Sequence, residues 1–380
     1  MNPATNVQDL VKSYYGKRLR SSEELQTDVS CSLKCGPPSK SACDAMALIH
    51  PEVSSRYFGC GLVIPESLGG CHVLDLGSGS GRDCFILSKL VGPLGRVTGV
   101  DMTDELIQIS RKYVPYHQEK FGYKETNTDF VQGYIEKLGE AGIRYNSYDL
   151  IVSNCVICLC GDKMAVFEEA HRVLKEGGEM YFSDMYASEP VDEELKKDAR
   201  LWGEGLAGAL YWKDLIRLVK SVGFSTPYLV TASHINIQTP ELLRQTGNVR
   251  YASGTYRFFK LPAVRNEGRD LVTYKGTVSE HLHELHFDSV HTFKKDKPVE
   301  VDGELAMVLK ASRFASHFII EPAERGEAPL KDEPQQCCHL NPFLLADTLG
   351  SSIQQCSKVQ KATLCGNKTE EASKRPVLEG

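Results

Sequence analysis

No apolar run in the 380 residues approaches the roughly 18 positions needed to cross a bilayer, so a membrane anchor is not expected. The first 25 residues lack the unbroken apolar core of a signal peptide, because Asp9, Lys12, Lys17, Arg18 and Arg20 interrupt it. Secretion is therefore disfavoured, and a monomer in the cytosol is expected. An excess of positive charge is missing too: 44 Lys and Arg face 50 Asp and Glu, a net charge of -6. Such a balance offers no field for phosphate backbones and argues against nucleic acid as a partner. Internal repeats are absent, and 41% hydrophobic with 25% charged residues excludes a fibrous or wholly disordered chain. What the chain has in quantity is cysteine, 13 in all, an odd number that cannot all pair internally. A reducing compartment disfavours a disulfide scaffold, which leaves core filling, thiol chemistry or binding of soft ions.

An amphipathic helix is expected over residues 7–18, then a polar loop with Cys31, Cys35, Pro37 and Pro38, then a second helix from about Cys43. From Cys71 onward, strands at 72–76, 96–100, 129–132, 149–153 and 179–183 alternate with helices at 82–90, 104–121 and 163–174. That alternation is the mark of successive βαβ units, so the fold class is α/β, a Rossmann-like doubly wound and mostly parallel sheet. Gly177 and Gly178 read as the cap that ends the last of these helices. Residues 191–222 read as helical, interrupted by glycines at 203–208, with Trp202, Tyr211 and Trp212 as anchors. Strand candidates at 256–260, 271–274, 285–293 and 318–320 suggest a smaller antiparallel-rich α+β domain. The expected organisation is 1–70, N-terminal helices and a cysteine loop; 71–225, the α/β core; 226–321, the second domain; and 322–380, a tail. The tail is rich in Glu, Lys, Pro, Ser and Gln with Phe343 its one aromatic, and is expected to be disordered.

The strand at 72–76 runs into Gly77, Ser78, Gly79, Ser80 and Gly81 and then a helix. Glycines there let the chain turn sharply and let a ligand lie against the backbone. A dinucleotide fingerprint would place its third glycine at position 82, where Arg82 stands, and here Asp75 precedes the first glycine by two residues. The pattern D-x-G-x-G-x-G resembles motif I of class I S-adenosylmethionine-dependent methyltransferases, whose ligand brings an ammonium and a sulfonium in place of a pyrophosphate. Asp101, ending the next strand about 20 residues later, can accept bonds from both ribose hydroxyls, and Met102 can lie on the adenine. Gly133, Tyr134, Ile135 and Glu136 can wall the adenine, and Asn154 and Cys155, at the end of the fourth strand, face the transferred methyl.

Cys155 stands at the carboxyl end of a strand, where open α/β sheets bind substrates. Cys60 lies between Gly59 and Gly61, an exposed-turn context. Thiolates prefer soft or borderline acceptors such as a trivalent metalloid, whose lone pair stays free to attack a methyl. With Tyr57-Phe58-Gly59-Cys60-Gly61, Asp75 through Cys84, Gly133 through Gly142, Ser153-Asn154-Cys155-Val156 and Leu201-Trp202-Gly203-Glu204, the chain resembles the arsenite methyltransferases over nearly its whole length. The resemblance implies S-adenosylmethionine as cofactor, arsenite and methylated arsenicals as substrate and products, and thioredoxin or glutathione as thiol reductant. It carries the arsenic-binding thiols onto Cys60 and Cys155, and the N-terminal one onto Cys31, with Cys35 as substitute. It also implies a cysteine where this chain has Gly205. Cys158 and Cys160 either stand in for that thiol or pack in the core.

Two rival readings follow from the same residues: a methyltransferase for a carbon or oxygen acceptor such as a quinone or sterol, and a thiol-rich metalloid-binding protein without catalysis. Cys337, Cys338, Cys356 and Cys365 fall in the tail, where a fixed site is not expected. His281, His283, His286 and His291 alternate between strand faces and are not expected to form a metal site.

Overall fold

The computed structural model describes residues 3–18, 39–59, 61–263, 268–323 and 337–350. Its centre is a sheet in the order β3-β2-β1-β4-β5-β8-β7, formed by β1 (His72–Leu76), β2 (Arg96–Asp101), β3 (Thr128–Gln132), β4 (Tyr148–Asn154), β5 (Leu174–Ala187), β7 (Tyr228–Ile235) and β8 (Tyr251–Phe259). A two-residue β6 (Leu210–Tyr211) pairs with the end of β5. Strands β1 to β5 are mutually parallel, and β8 and β7 continue the sheet antiparallel. Registers Asp75↔Gly99 and Leu76↔Ser153 bring the carboxyl ends of β1, β2 and β4 to one edge, and the chemistry-bearing residues collect there.

Ahead of the sheet come α1 (Pro3–Ser13), which continues into a π-helical turn at Tyr14–Arg18, α2 (Lys40–Met46) and α3 (Pro51–Ser55). The sheet helices are α4 (Arg82–Val91), α5 (Asp104–Lys112), α6 (Val114–Phe121) and α7 (Lys163–Val173). The helix expected over 104–121 is two, because Pro115 in the first turn of α6 cannot continue the ladder of α5. On one face of the sheet Ile86, Val97, Phe130 and Leu150 are buried, and on the other Leu76, Phe167, Met180 and Phe258. After β5 follow α8 (Ala199–Gly203), α9 (Trp212–Val222) and α10 (Pro240–Thr246).

The C-terminal unit is a separate antiparallel sheet in the order β12-β9-β13, with β9 (Arg269–Tyr274), β12 (Pro298–Asp302) and β13 (Phe318–Pro322). A hairpin of β10 (Glu284–His286) and β11 (Thr292–Lys294) and the helix α11 (Gly303–Ala311) close its own core around Tyr274, Phe287, Phe293 and Leu309.

Four expectations need correction. Residues 256–260 belong to the central sheet and not to the second domain, because Tyr256 and Phe258 are buried against its core. Gly177 and Gly178 do not cap a helix: α7 ends at Val173 and the strand begins at Leu174. Gly177 instead has φ +77, and a β-carbon there would fall 2.0 Å from the Ala311 carbonyl, so α11 packs against bare backbone. The strand expected over 285–293 turns at Asp288, whose carboxylate accepts from Val290 and His291 amides, which makes it a hairpin. Within the expected tail, residues 337–350 are ordered: Cys337–Leu340 forms a 3-10 turn and α12 (Pro342–Leu349) buries Phe343 against the sheet, while the Tyr256 hydroxyl donates to the Leu340 carbonyl at 2.7 Å.

A buried charge network joins these parts. Arg257 on β8 and Glu179 on β5 are both fully buried and meet at 2.7 Å, and Arg257 also lies 3.3 Å from Glu66. Arg313, between α11 and β13, pairs with the other oxygen of Glu179 and donates to the Glu66 carbonyl at 2.9 Å.

Candidate functional site

The loop from β1 to α4 folds back on β2, the amides of Gly77 and Ser78 both donating to the Val100 carbonyl, at 2.8 and 3.0 Å. Gly77 has φ +76, and a β-carbon on it would meet Val156 at 2.4 Å, so the turn requires glycine. Asp101 receives the Gly79 amide at 2.9 Å and the Thr103 amide at 2.7 Å, which fixes its carboxylate at the pocket floor while leaving each oxygen a lone pair. Asp75, Gly77, Ser78, Gly79, Asp101, Met102, Ile135, Glu136, Asn154 and Cys155 all line this pocket; Gly81 does not, and caps α4 in a left-handed conformation.

Four carboxylates, Asp75, Asp83, Asp101 and Glu136, face the pocket against one guanidinium, Arg56, among the described residues. Burial, reinforced by Asp83 and Asp101, pushes the Asp75 carboxyl up to about 7, even though the Cys84 thiol donates to it at 3.1 Å. Burial likewise raises Asp101, against the two amides that hold its charged form. A pocket of this kind repels pyrophosphate and favours a cationic ligand. The Ser78 hydroxyl is buried against Gly99 of β2 and has no hydrogen-bond partner among the described residues.

Three walls escaped the sequence reading. Gln8, Val11 and Tyr15 of the N-terminal helix and its π turn line the pocket, and Gln8 reaches Glu136 at 3.3 Å while Lys12 reaches the Tyr134 hydroxyl at 2.5 Å. Amphipathic spacing reveals such a helix but not its target, more than 120 residues away. Arg56, Tyr57 and Phe58 form a second wall, and Thr103 and Leu106 a third. Asn154, expected only beside the methyl, gives its amide to the Tyr57 hydroxyl at 2.7 Å, the Gly61 carbonyl at 3.0 Å and Asp83 at 3.1 Å. It therefore ties the 57–61 loop to the floor of the site.

Cys155 lines the pocket with φ +56, a left-handed conformation rare for a non-glycine residue and one that gathers at functional sites. Its amide donates to the Ser183 carbonyl at 2.8 Å, and its sulfur is disulfide-linked. Cys158 and Cys160 are free thiols, buried, and burial raises both well above the usual thiol range. Cys160 lines the pocket; Cys158 packs with Met185, Leu201 and Trp202. Cys31, Cys35, Cys60, Cys356 and Cys365 lie outside the described residues, and Cys338 is exposed. His286 bonds Glu284 and Thr292, and His291 bonds Asp288; no three potential metal ligands converge among the described residues.

Gly205 follows α8 with φ +80, its amide donating to the Trp202 carbonyl at 2.9 Å, and a β-carbon on it would sit 3.1 Å from the Cys158 sulfur. Gly205→Cys is therefore expected to destabilise the chain by about 1–3 kcal/mol from the left-handed backbone alone. Crowding against Cys158 adds to that, so the double variant with Cys158→Ala should recover part of the loss. Denaturant midpoints of the three proteins measure this, and an unchanged midpoint in the single variant refutes it.

Residues 67–223 match the family described as Methyltransferase domain, and residues 267–371 match the Arsenite methyltransferase C-terminal domain. The chain is similar to the arsenite methyltransferase of Homo sapiens, 47% identical over 95% of this chain and 97% of the relative. It is also similar to the arsenite methyltransferase of Aquipseudomonas alcaligenes, 44% identical over 81% of this chain and 89% of the relative. Among solved structures, the arsenic (III) S-adenosylmethionine methyltransferase of Chlamydomonas reinhardtii superposes with a TM-score of 0.71 at 42% identity, covering 75% of this chain and 96% of the other.

Proposed function

We propose, on the premise that the chain belongs to the arsenite methyltransferase family, an account of how its own residues carry out the reaction. The protein is an S-adenosylmethionine-dependent methyltransferase acting on arsenite. The cofactor, when bound, supplies an electrophilic methyl on a sulfonium. The observation that carries the residue-level reading is the pocket in which four carboxylates face one guanidinium among the described residues, with Cys155 in its lining.

Asp75 and the backbone of Gly77 to Gly79 would hold the amino-acid end. Asp101 takes the ribose hydroxyls, Met102 and Ile135 enclose the adenine, and Glu136 caps its edge. Asn154 holds the 57–61 loop over the site. Cys60 and Cys155, as thiolates once reduced, hold trivalent arsenic, and Cys31 joins them transiently. Bound S-adenosylmethionine would supply the methyl and thiolate-held arsenic a lone pair, so no general base would be needed and the protein would contribute mainly position. The methylated product is returned to the trivalent state by thiols, with thioredoxin or glutathione restoring the enzyme. Mono- and dimethylated arsenicals are the expected products, in a monomer of the cytosol. No helix among the described residues is long and apolar enough to cross a membrane.

The test is incubation of the full chain with arsenite, S-adenosylmethionine and a thiol reductant, followed by separation of arsenic species. Methylarsenicals are expected; their absence with cofactor binding intact refutes catalysis. A second expectation concerns pH. With the Asp75 carboxyl at about 7 in the free site, a cationic ligand binds its ionised form, so a proton must leave as pH falls below 7. Cofactor affinity should thus weaken about fivefold from pH 7 to 6 and level off above 8. Calorimetry at these values checks this, and Asp75→Asn should flatten the profile.

A further inference from the structure

Glu204 is 3% exposed, and a carboxyl group so deeply buried must be paired. It stands where α8 ends, not among the residues that line the cofactor pocket, and accepts the hydroxyl of Tyr14 from the N-terminal π turn at 2.5 Å. The next residue, Tyr15, donates to the Gly203 carbonyl at 3.0 Å. A β-carbon on Gly203 would fall 3.0 Å from the Tyr14 ring, so the π turn lies directly on the end of α8. Tyr15 also lines the pocket and meets Phe58 of the 57–61 loop edge to face, with ring centres 5.4 Å apart. On its other side α8 backs the turn that follows Cys155. The Trp202 indole donates to the Leu159 carbonyl at 3.0 Å, and a β-carbon on Gly208 would fall 1.8 Å from the Cys158 carbonyl oxygen. Val11, Tyr15, Met102, Leu159, Leu201 and Trp202 share one apolar cluster, which joins the N-terminal helix, the adenine side of the pocket and this turn.

A helix of 11 residues is marginal in water by itself, so α1 owes its place to contacts. Gln8 to Glu136 and Lys12 to Tyr134 hold it on the adenine side, and Tyr14 to Glu204 and Tyr15 to Gly203 hold it against α8. A ligand that fills the pocket adds contacts with Gln8, Val11 and Tyr15 from beneath. We propose that Tyr14 and Glu204 are positioning residues that couple the two substrates. Cofactor contacts fix the N-terminal helix, the Tyr14 hydroxyl thereby fixes Glu204, and the end of α8 holds the Cys155 turn in the arrangement that takes arsenite. Arsenite then binds tighter to the cofactor-loaded chain, and the cofactor tighter to the arsenite-loaded chain by the same factor. The second ligand of this coupling rests on the arsenite reading; the relay from pocket to α8 does not.

The experiment uses the full chain, reduced, and follows amide hydrogen exchange by mass spectrometry with and without S-adenosylhomocysteine, the demethylated form of the cofactor. None of residues 199–207 lines the pocket, so slowing there cannot come from direct contact with the ligand. In the wild type the ligand should slow exchange over 201–207 at least about fivefold. In Tyr14→Phe the glycine loop at 77–81 should be protected as in wild type, while 201–207 gains nothing from the ligand. Equilibrium dialysis gives the second readout: arsenite should bind about tenfold tighter to the wild type when S-adenosylhomocysteine is present, and within about twofold in Tyr14→Phe. Glu204→Gln still offers an oxygen to the Tyr14 hydroxyl and should keep the gain; Glu204→Ala should lose it, and adding Tyr14→Phe to Glu204→Ala should lose no more. The proposal is overturned if wild-type 201–207 exchanges at one rate with and without the ligand, a result that needs no variant to fold. It is overturned equally if Tyr14→Phe keeps the tenfold ratio with both affinities lowered, as mere support of α8 would give. Protection of 201–207 that depends on Tyr14, in a chain that binds no arsenite, leaves the relay standing and refutes the functional reading.

Discussion

Cys155→Ser is expected to lower arsenite methylation by at least about a hundredfold while leaving S-adenosylmethionine affinity within twofold. The argument runs from the metalloid. Trivalent arsenic is soft enough to prefer thiolate over hydroxyl oxygen, so serine at this rim position exchanges a good ligand for a poor one. Much of the catalysis is alignment of a bound lone pair with a bound methyl, and positioning of that kind is worth several kcal/mol, lost when the acceptor is no longer held. Serine is close to cysteine in size and meets the same left-handed backbone, φ +56, so the pocket itself should persist. Arsenic speciation after a single turnover gives the rate, and calorimetry gives the cofactor affinity. Methylation at the wild-type rate in this variant would show that other groups hold the acceptor. Retained methyl transfer to a quinone or sterol, with none to arsenite, would favour the carbon- or oxygen-acceptor reading.

The parts legible in the sequence are those whose physics is local. β1, β2 and β4 show as apolar runs because both faces are covered, and the glycine loop shows because only glycine takes its turn at position 77. Asp75 and Asp101 are legible by spacing from that loop and Cys155 by its place at the carboxyl end of a strand, and all three line one pocket. What was hidden depends on pairing across long stretches of chain. Gln8 and Tyr15 join Glu136 in the same pocket through contacts that no window of sequence contains. Tyr256 and Phe258 mark a strand plainly, but which sheet receives it is settled by β5, about 75 residues earlier, where Phe182 pairs with Tyr256. Leu340 and Phe343 are too few to make a core in a polar tail; they need none of their own, because β7 and β8 supply it.

Glu179 and Arg257 were the least legible residues of all, since charges inside strands read as solvent-facing positions. Their burial makes Glu179→Gln the largest expected loss of stability, about 3–5 kcal/mol, as for other buried pairs broken from one side. Burial alone would raise the Glu179 carboxyl, but Arg257 and Arg313 together hold it below its usual range. The sign follows from that depression. Its stabilising share is present above the unfolded value of 4.5 and is lost as pH falls below it, because the unfolded chain then binds the proton more readily. Wild type and Glu179→Gln should differ most in denaturant midpoint at pH 7 and converge as pH falls below 4.5 and through the depressed value of Glu179. Converting the network to apolar residues together, with Glu66→Leu, Glu179→Met, Arg257→Met and Arg313→Leu, should cost far less than the single change, since no charge is left unpaired. The effect should also reach the site. Arg313 holds the Glu66 carbonyl and Arg257 the Glu66 side chain, and Glu66 closes the segment whose other end, at Gly61, Asn154 fastens over the pocket. Glu179→Gln should therefore weaken arsenite binding more than cofactor binding at temperatures where the chain is still folded. Equal loss of both, or of neither, would mean that the network supports the fold alone.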